Sequence, residues 1–172
     1  MVWCAIGLGS NIGPRAQHLR AAVHALIDTI PHSQLRLSAL FETHPWEGAS
    51  GGPFLNAALA LETEQDPHAV HAILQEIEMQ QGRTRPFRNA PRSLDLDLLF
   101  WGETQLNTPN LTLPHPRLSK RWFVLAPLLQ LDLSFRDPQT GLSLQAMAKE
   151  LAQEQAPSDV ICRDQIPWDS KE

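Results

Sequence analysis

Ser93-Leu94-Asp95-Leu96-Asp97-Leu98-Leu99-Phe100-Trp101 is a run of large apolar residues broken only by two aspartates. Its composition predicts a buried β-strand. Side chains alternate faces along a strand, so Asp95 and Asp97 point the same way, their backbones roughly 6.5–7 Å apart at ~3.3 Å per residue. Leu94, Leu96, Leu98 and Phe100 are expected on the opposite face, in the core. Two neighbouring carboxylates repel, and in an apolar strand they are costly unless a cation or a guanidinium lies between them. Their spacing suits one or two Mg²⁺ ions, which take few carboxylates, several waters and substrate phosphates. A bare D-x-D pair fits an ordinary solvated strand face equally well.

Working outward, Gly and Pro punctuate the chain into short elements. Trp3 to Leu8 reads as a strand that ends in Gly7-Leu8-Gly9-Ser10-Asn11, with Pro14 at a first helical position. Leu19, Val23, Leu26, Ile27 and Ile30 then recur at helical spacing. Leu35, Leu37, Ala39 and Phe41 alternate as in a single strand. A Gly- and Pro-rich loop over 44–53 leads to a further strand over 54–64. Asp66-Pro67 starts a second helix with Val70, Ile73, Leu74 and Ile77 inward, and Gly82 stands where a left-handed C-cap belongs. A basic loop over 83–91 leads back to the aspartate strand. Beyond it come a short extended piece at 111–113, an apolar run over 122–129 that fits helix or strand, a short helix over 143–153, and a polar tail from about 155 that is expected to pack over the surface. The order β-α-β-β-α-β is the split-βαβ, ferredoxin-like arrangement of the α+β class, an antiparallel sheet with helices on one face. The 172 residues suffice for one domain, 1–172.

Composition excludes several function classes. Hydrophobic residues make up 42% and charged residues 19%, too apolar for a disordered chain. No apolar run approaches the ~20 residues of a membrane span. Met1-Val2-Trp3-Cys4 lacks the basic start of a signal peptide, and two cysteines make no disulfide framework, so a reduced, cytoplasmic protein is expected. A net charge of −5 argues against nucleic acid as partner. Yet seven of the 14 Lys and Arg lie between positions 81 and 121, against three acids, so that segment is positive on an otherwise acidic chain. Eleven of the 14 are Arg, suited to bidentate grip on phosphate.

Carboxylates that hold Mg²⁺, with arginines beside them, form the usual equipment for phosphoryl chemistry. Arg83, Arg85, Arg88 and Arg92 precede the aspartate pair, and His115, Arg117, Lys120 and Arg121 offer a second basic wall. Gly7 to Gly13 fails the dinucleotide fingerprint, because Ile12 stands where a glycine is required, and no Walker loop, zinc spacing or nucleophile elbow occurs. Phe54 and Asn56 share a strand face and would suit a flat heterocycle with ring N–H and C=O groups. Gln75 and Glu78 are neighbours on one helix face. Trp46 sits in the Gly-rich loop. The residues alone point to a Mg²⁺-dependent triphosphate site and leave its chemistry open, between a phospho- or nucleotidyltransferase and a non-catalytic nucleotide-binding module.

Over residues 4 to 130 the chain resembles the 6-hydroxymethyl-7,8-dihydropterin pyrophosphokinase family of folate biosynthesis. The resemblance is carried by Ile6-Gly7-Leu8-Gly9-Ser10-Asn11-Ile12-Gly13, Phe54-Leu55-Asn56-Ala57-Ala58, Glu78-Met79-Gln80-Gln81-Gly82-Arg83-Thr84-Arg85, Ala90-Pro91-Arg92-Ser93-Leu94-Asp95-Leu96-Asp97-Leu98-Leu99, Leu113-Pro114-His115-Pro116-Arg117 and Arg121-Trp122-Phe123-Val124-Leu125-Ala126-Pro127-Leu128. It implies transfer of pyrophosphate from ATP to the pterin hydroxymethyl group, by a monomer. By resemblance Asp95 and Asp97 hold two Mg²⁺ with ATP, and Arg83 and Arg92 assist the transfer. Gln75, Glu78, Arg85, Arg92, Leu98, Thr112, His115, Pro116 and Arg121 fall at ATP positions. Thr43, His44, Trp46, Phe54, Asn56 and Phe123 fall at pterin positions, Phe54 and Phe123 sandwiching the ring. The chain departs from the family in having Arg88-Asn89-Ala90 in place of Arg-Trp-Gly, Asn110 in place of Arg, and His44 in place of Pro.

Overall fold

A computed structural model describes residues 1–44, 52–82, 91–157, 160–163 and 168. Strand β1 (Val2–Ser10) leads into helix α1 (Arg15–Thr29), then β2 (Gln34–Leu37), β3 (Leu40–Thr43), β4 (Phe54–Thr63), helix α2 (Pro67–Gln80) and β5 (Asp95–Trp101). A two-stranded ribbon, β6 (Leu106–Asn107) and β7 (Thr112–Leu113), follows, then a 3₁₀ turn (Leu118–Lys120), α3 (Trp122–Leu129), α4 (Leu144–Glu154) and β8 (Val160–Arg163). The main sheet has the order β5-β1-β4-β3-β8, with β2 also on β4, and every pair is antiparallel. Its β1-α1-β2/β3-β4-α2-β5 core is the expected ferredoxin-like arrangement.

Local chemistry explains the boundaries. Asp66 caps α2, its Oδ1 accepting from the His68 amide at 2.8 Å, and Pro67 takes the first helical position, where a missing N–H is harmless. Gly82 has φ +73° beyond the helix end, as its place in the sequence predicts. The glycines at 7 and 9 lie within β1, and the turn that follows has its left-handed residue at Gly13, φ +67°. Helix α1 starts one residue later than predicted, at Arg15, with Pro14 as the residue before it.

Four expectations need correction. The single strand over 35–41 is two strands, because the chain breaks at Ser38-Ala39. There the Ser38 hydroxyl accepts the Ala58 amide at 2.9 Å, and the Ala39 amide turns to Gln130. The helices do not all lie on one face. Helices α1 and α2 bury Leu19, Leu26, Val70 and Leu74 against Ile6, Leu8, Leu59 and Leu61 on one side, whereas α3 and α4 bury Leu125, Leu128, Met147 and Leu151 against Ala5, Ala58 and Ala60 on the other. The tail from 155 is not merely a surface covering: β8 adds to the edge of β3. Glu42 joins these parts, bridging Arg15 of α1 at 2.9 Å and Arg163 of β8 at 2.7 Å, and the Arg163 bond leads in holding its carboxyl below the usual range.

The fourth correction concerns Phe100. Ala5 pairs with Phe100 but Ile6 pairs with Leu98, so Leu99 is an extra residue, a β-bulge. The bulge turns both Leu99 and Phe100 toward the α3/α4 core, where Phe100 stacks on Phe135 with centroids 4.0 Å apart. Phe100 therefore lies on the aspartate side and not with Leu98. Phe100→Ala should cost about 3–5 kcal/mol through lost transfer energy and a cavity, read as a lower urea midpoint. An unchanged midpoint would mean that this second core does not stabilise the sheet.

Candidate active site

The side chains of Asp95 and Asp97 project on the α3/α4 side of the sheet, ahead of that core. Strand register brings the rest alongside. Gly9 pairs with Asp95 on one side and with Asn56 on the other, and Gly7 pairs with Asp97. A Cβ placed on Gly9 would lie 3.2 Å from Asn56 Oδ1, 3.8 Å from the Phe54 ring and 3.9 Å from the Asp95 Cβ. Glycine here lets the three approach one another. Asn56 is buried and donates from Nδ2 to the Thr43 hydroxyl at 2.9 Å. That bond assigns the amide orientation and leaves Oδ1 toward Gly9 and the carboxylates. The separate expectations for Asp95/Asp97 and for Phe54/Asn56/Thr43 thus meet on one surface.

The basic residues arrive from loops. Arg92 forms an ion pair with Asp95, Nε to Oδ2 at 3.4 Å, but this buried Nε makes no hydrogen bond among the described residues. Its guanidinium lies 5.6 Å from the Phe54 ring centre, and that of Arg121 lies 5.3 Å from Phe123. The main chain at Arg92 is clamped by Asn11. The Asn11 amide donates to the Arg92 carbonyl at 3.1 Å, and the Arg92 amide donates to Asn11 Oδ1 at 2.8 Å. Motif reasoning took Asn11 only as part of a turn. The signal that could have found it is an Asx residue at a strand exit, whose short side chain readily bonds neighbouring backbone.

His115 is anchored by its amide to the Leu99 carbonyl at 2.7 Å, and its Nδ1 accepts the Arg117 amide at 3.1 Å. An accepting Nδ1 puts the proton on Nε2 in the neutral ring. Burial is the main influence lowering its pKa; Asp97 opposes this, while Arg121 and Arg117 reinforce it. Arg121 is likewise lowered, first by burial and then by Arg117. Thr112, His115 and Pro116 line an open cleft of about 240 Å³ together with Ser119, Asp137 and Met147.

On α2, Gln75 is exposed and its Nε2 is 3.2 Å from His71 Nε2, while Glu78 is buried and accepts the Leu96 amide at 2.7 Å. Leu98 is buried in the α1/α2 core, so its side chain offers no surface to a ligand. His44 and Pro116 are exposed. Trp46, Arg83 and Arg85 lie outside the described residues, as do the Asn89 departure and most of both loops. The donor set suits a hard cation. The aspartates supply only oxygen, and no group of three His, Cys, Asp or Glu side chains converges among the described residues, leaving the remaining ligands to water and phosphate.

Comparison with known proteins decides the relationship. The model of the 7,8-dihydro-6-hydroxymethylpterin-pyrophosphokinase family matches residues 5–133. The chain belongs to this family. A Bacillus subtilis 2-amino-4-hydroxy-6-hydroxymethyldihydropteridine pyrophosphokinase is 40% identical over 126 residues, 73% of this chain and 75% of that protein. A Pseudomonas aeruginosa protein of the same name is 38% identical over 134 residues, 77% of this chain and 82% of that one. Among solved structures, an HPPK-DHPS in complex with substrates shares the fold with a TM-score of 0.70 over 89% of this chain and 44% of that chain, at 12% identity. The family match covers the aspartate strand, Asn11 and His115, and it ends before α4 and β8.

Lowering the folded-state pKa of His115 makes stability pH-dependent with a definite sign. The contribution is complete above about 6.5, the unfolded value, and is lost as pH falls through the lower folded value. His115→Gln should therefore flatten the acid limb of thermal midpoint against pH below about 6.5. Parallel curves for variant and parent would refute a His115 whose proton affinity is lowered by its half-buried place in the fold.

Proposed function

We propose that this member of the pyrophosphokinase family transfers pyrophosphate from ATP to the hydroxymethyl oxygen of 6-hydroxymethyl-7,8-dihydropterin. The products are AMP and the pterin diphosphate, in folate biosynthesis. The observation that carries the proposal is the shared surface around Gly9, where a carboxylate pair adjoins an amide-and-aromatic pocket. A transferase needs both reactants side by side, and a module that only bound nucleotide would have no use for the second pocket.

In this reading Phe54 and Phe123 hold the pterin ring by its faces, and Asn56, set by Thr43, reads its edge. Thr43, His44 and Trp46 complete that pocket. ATP lies toward Gln75, Thr112, His115 and Pro116, with Arg85 and Arg121 on its phosphates. Magnesium, proposed as two ions at Asp95 and Asp97, would neutralise phosphate charge. The pterin hydroxyl oxygen attacks the β-phosphorus in line, the bond from that phosphorus to the AMP oxygen breaks, and the hydroxyl proton is released to water. Arg92 and Arg83 grip the oxygens on which charge builds, and the Nε2–H of His115 donates to another. Because His115 is neutral, it donates without adding a further full charge beside Arg121. The preorganised donors supply catalysis chiefly by position. A single domain over 1–172, a monomeric state and the cytoplasm complete the proposal. No helix among the described residues is long and apolar enough to cross a membrane.

The test is a product assay with ATP, Mg²⁺ and 6-hydroxymethyl-7,8-dihydropterin that resolves AMP from ADP. AMP should form only when the pterin is present. ADP, or AMP formed with other acceptors alone, would favour the other transferase reading. Asp95→Ala and Asp97→Ala should each lower turnover by at least ~10³-fold, on the scale of removing one charge-stabilising group, with folding retained by circular dichroism. Near-parental turnover at low Mg²⁺ would exclude them as metal ligands. Phe54→Ala should weaken pterin binding about tenfold while changing ATP binding little, as measured by calorimetry, since one lost aromatic contact is worth about 1–1.5 kcal/mol.

A further inference from the structure

Helix α2 turns its apolar side to the sheet through Val70, Leu74 and Ile77, and the next inward residue is an acid. Glu78 is only 6% exposed, whereas Glu76 and Gln80 on the same helix face solvent. Burying a carboxylate is costly unless it is hydrogen-bonded. Its Oε1 accepts the main-chain N–H of Leu96 at 2.7 Å. Leu96 is the residue between Asp95 and Asp97.

The place of that bond in the sheet gives it meaning. Among the described residues β5 is the last strand of its sheet and pairs only with β1. On its outward side alternate amides lack a ladder partner, and a strand end with open amides frays. Here the outward amide nearest the strand start is held by a side chain from another element. Ser93, two residues before Asp95, is tied to the same helix, its hydroxyl donating to the Gln81 carbonyl at 3.0 Å. The backbone bearing both aspartates is thereby fixed against α2 from behind, on the face opposite their carboxylates.

We propose that Glu78 is a positioning residue. Its carboxylate secures the Leu96 amide so that Asp95 and Asp97 keep the separation that Mg²⁺ requires, and it need not touch the nucleotide. The inference rests on the metal-dependent ATP site proposed above. It replaces the direct ATP contact that resemblance assigns to this position. Partners that orient metal ligands typically carry 10–100-fold in metal affinity or activity.

The discriminating substitutions are Glu78→Gln, whose amide oxygen still accepts a hydrogen bond, and Glu78→Met, which fills similar space but cannot. ATP affinity is measured by calorimetry twice, with Mg²⁺ and with the metal removed by a chelator, and amide exchange at Leu96 is followed by NMR. Glu78→Met should weaken Mg²⁺·ATP by about tenfold or more, leave metal-free ATP within about twofold, and accelerate exchange at Leu96 by at least tenfold. Glu78→Gln should restore all three readouts to within about threefold of the parent. Three results would overturn the proposal. They are equal losses with and without metal, a Gln variant as weak as the Met variant, or unchanged Leu96 exchange in Glu78→Met. If Glu78→Met does not fold, Glu78→Gln still decides, because a direct charge contact predicts that it loses ATP affinity with and without metal. Parental protein that fails to bind Mg²⁺·ATP would defeat the proposed function, while Leu96 exchange would still report on Glu78.

Discussion

One strand must satisfy two opposed demands. β5 is covered by helices on both faces along its second half, which requires apolar side chains throughout. Its first half carries two carboxylates on one of those same faces, which requires polar surroundings. The bulge between Ala5 and Ile6 lets the strand meet both. By inserting Leu99 it changes the phase of the alternation, so the face that shows Asp95 and Asp97 at the rim shows Leu99 and Phe100 in the core. The carboxylates stay at the rim, where water and basic side chains reach them, and the aromatic residue behind them stacks on Phe135 in the segment between α3 and α4.

The neighbouring strands are built around that arrangement. β1 contributes small residues on the aspartate face, Ala5 in the core and then Gly7 and Gly9 at the rim. Removing side chains there lets β4 and β5 bring Asn56 and Asp95 close across an intervening strand. Several polar groups at the rim are bonded to the scaffold. Asn56 bonds Thr43, Asn11 bonds Arg92, Glu78 bonds Leu96, and His115 takes the Arg117 amide. Such bonds hold the site in shape before ligands arrive, since a buried polar group left unpaired would be more costly than one bonded to the scaffold. Elsewhere the thiol of Cys4, in the middle of β1, is pushed up to about 12 by burial and stays an inert core group.

Much of this was legible in the chain. Period-two alternation placed Asp95 with Asp97 and Phe54 with Asn56, because side-chain direction in a strand follows from neighbours in sequence. Asp66-Pro67 and Gly82 marked the ends of α2 for equally local reasons. The break at Ser38-Ala39 was not legible, because it depends on Ser38 meeting Ala58 and on Ala39 meeting Gln130, partners 20 and 91 residues away. β8 was hidden likewise, since the pairing of Val160–Arg163 with β3 leaves no periodic mark in a short polar tail. Phe100 was assigned to the wrong face because a bulge is a property of two paired strands and has no signature in one.

The sequence by itself determined the class of fold, the residue types needed for phosphate chemistry and, through its motifs, the family. These depend on local propensity, alternation and composition. Tertiary structure alone decided that the carboxylate pair and Phe54, Asn56 and Thr43 share one surface, that α3 and α4 close the sheet's second face, and that Glu78 looks inward to Leu96 rather than outward. Each of these results depends on which distant backbones come within hydrogen-bonding distance, and pairing across strands and layers is set by the whole packed core.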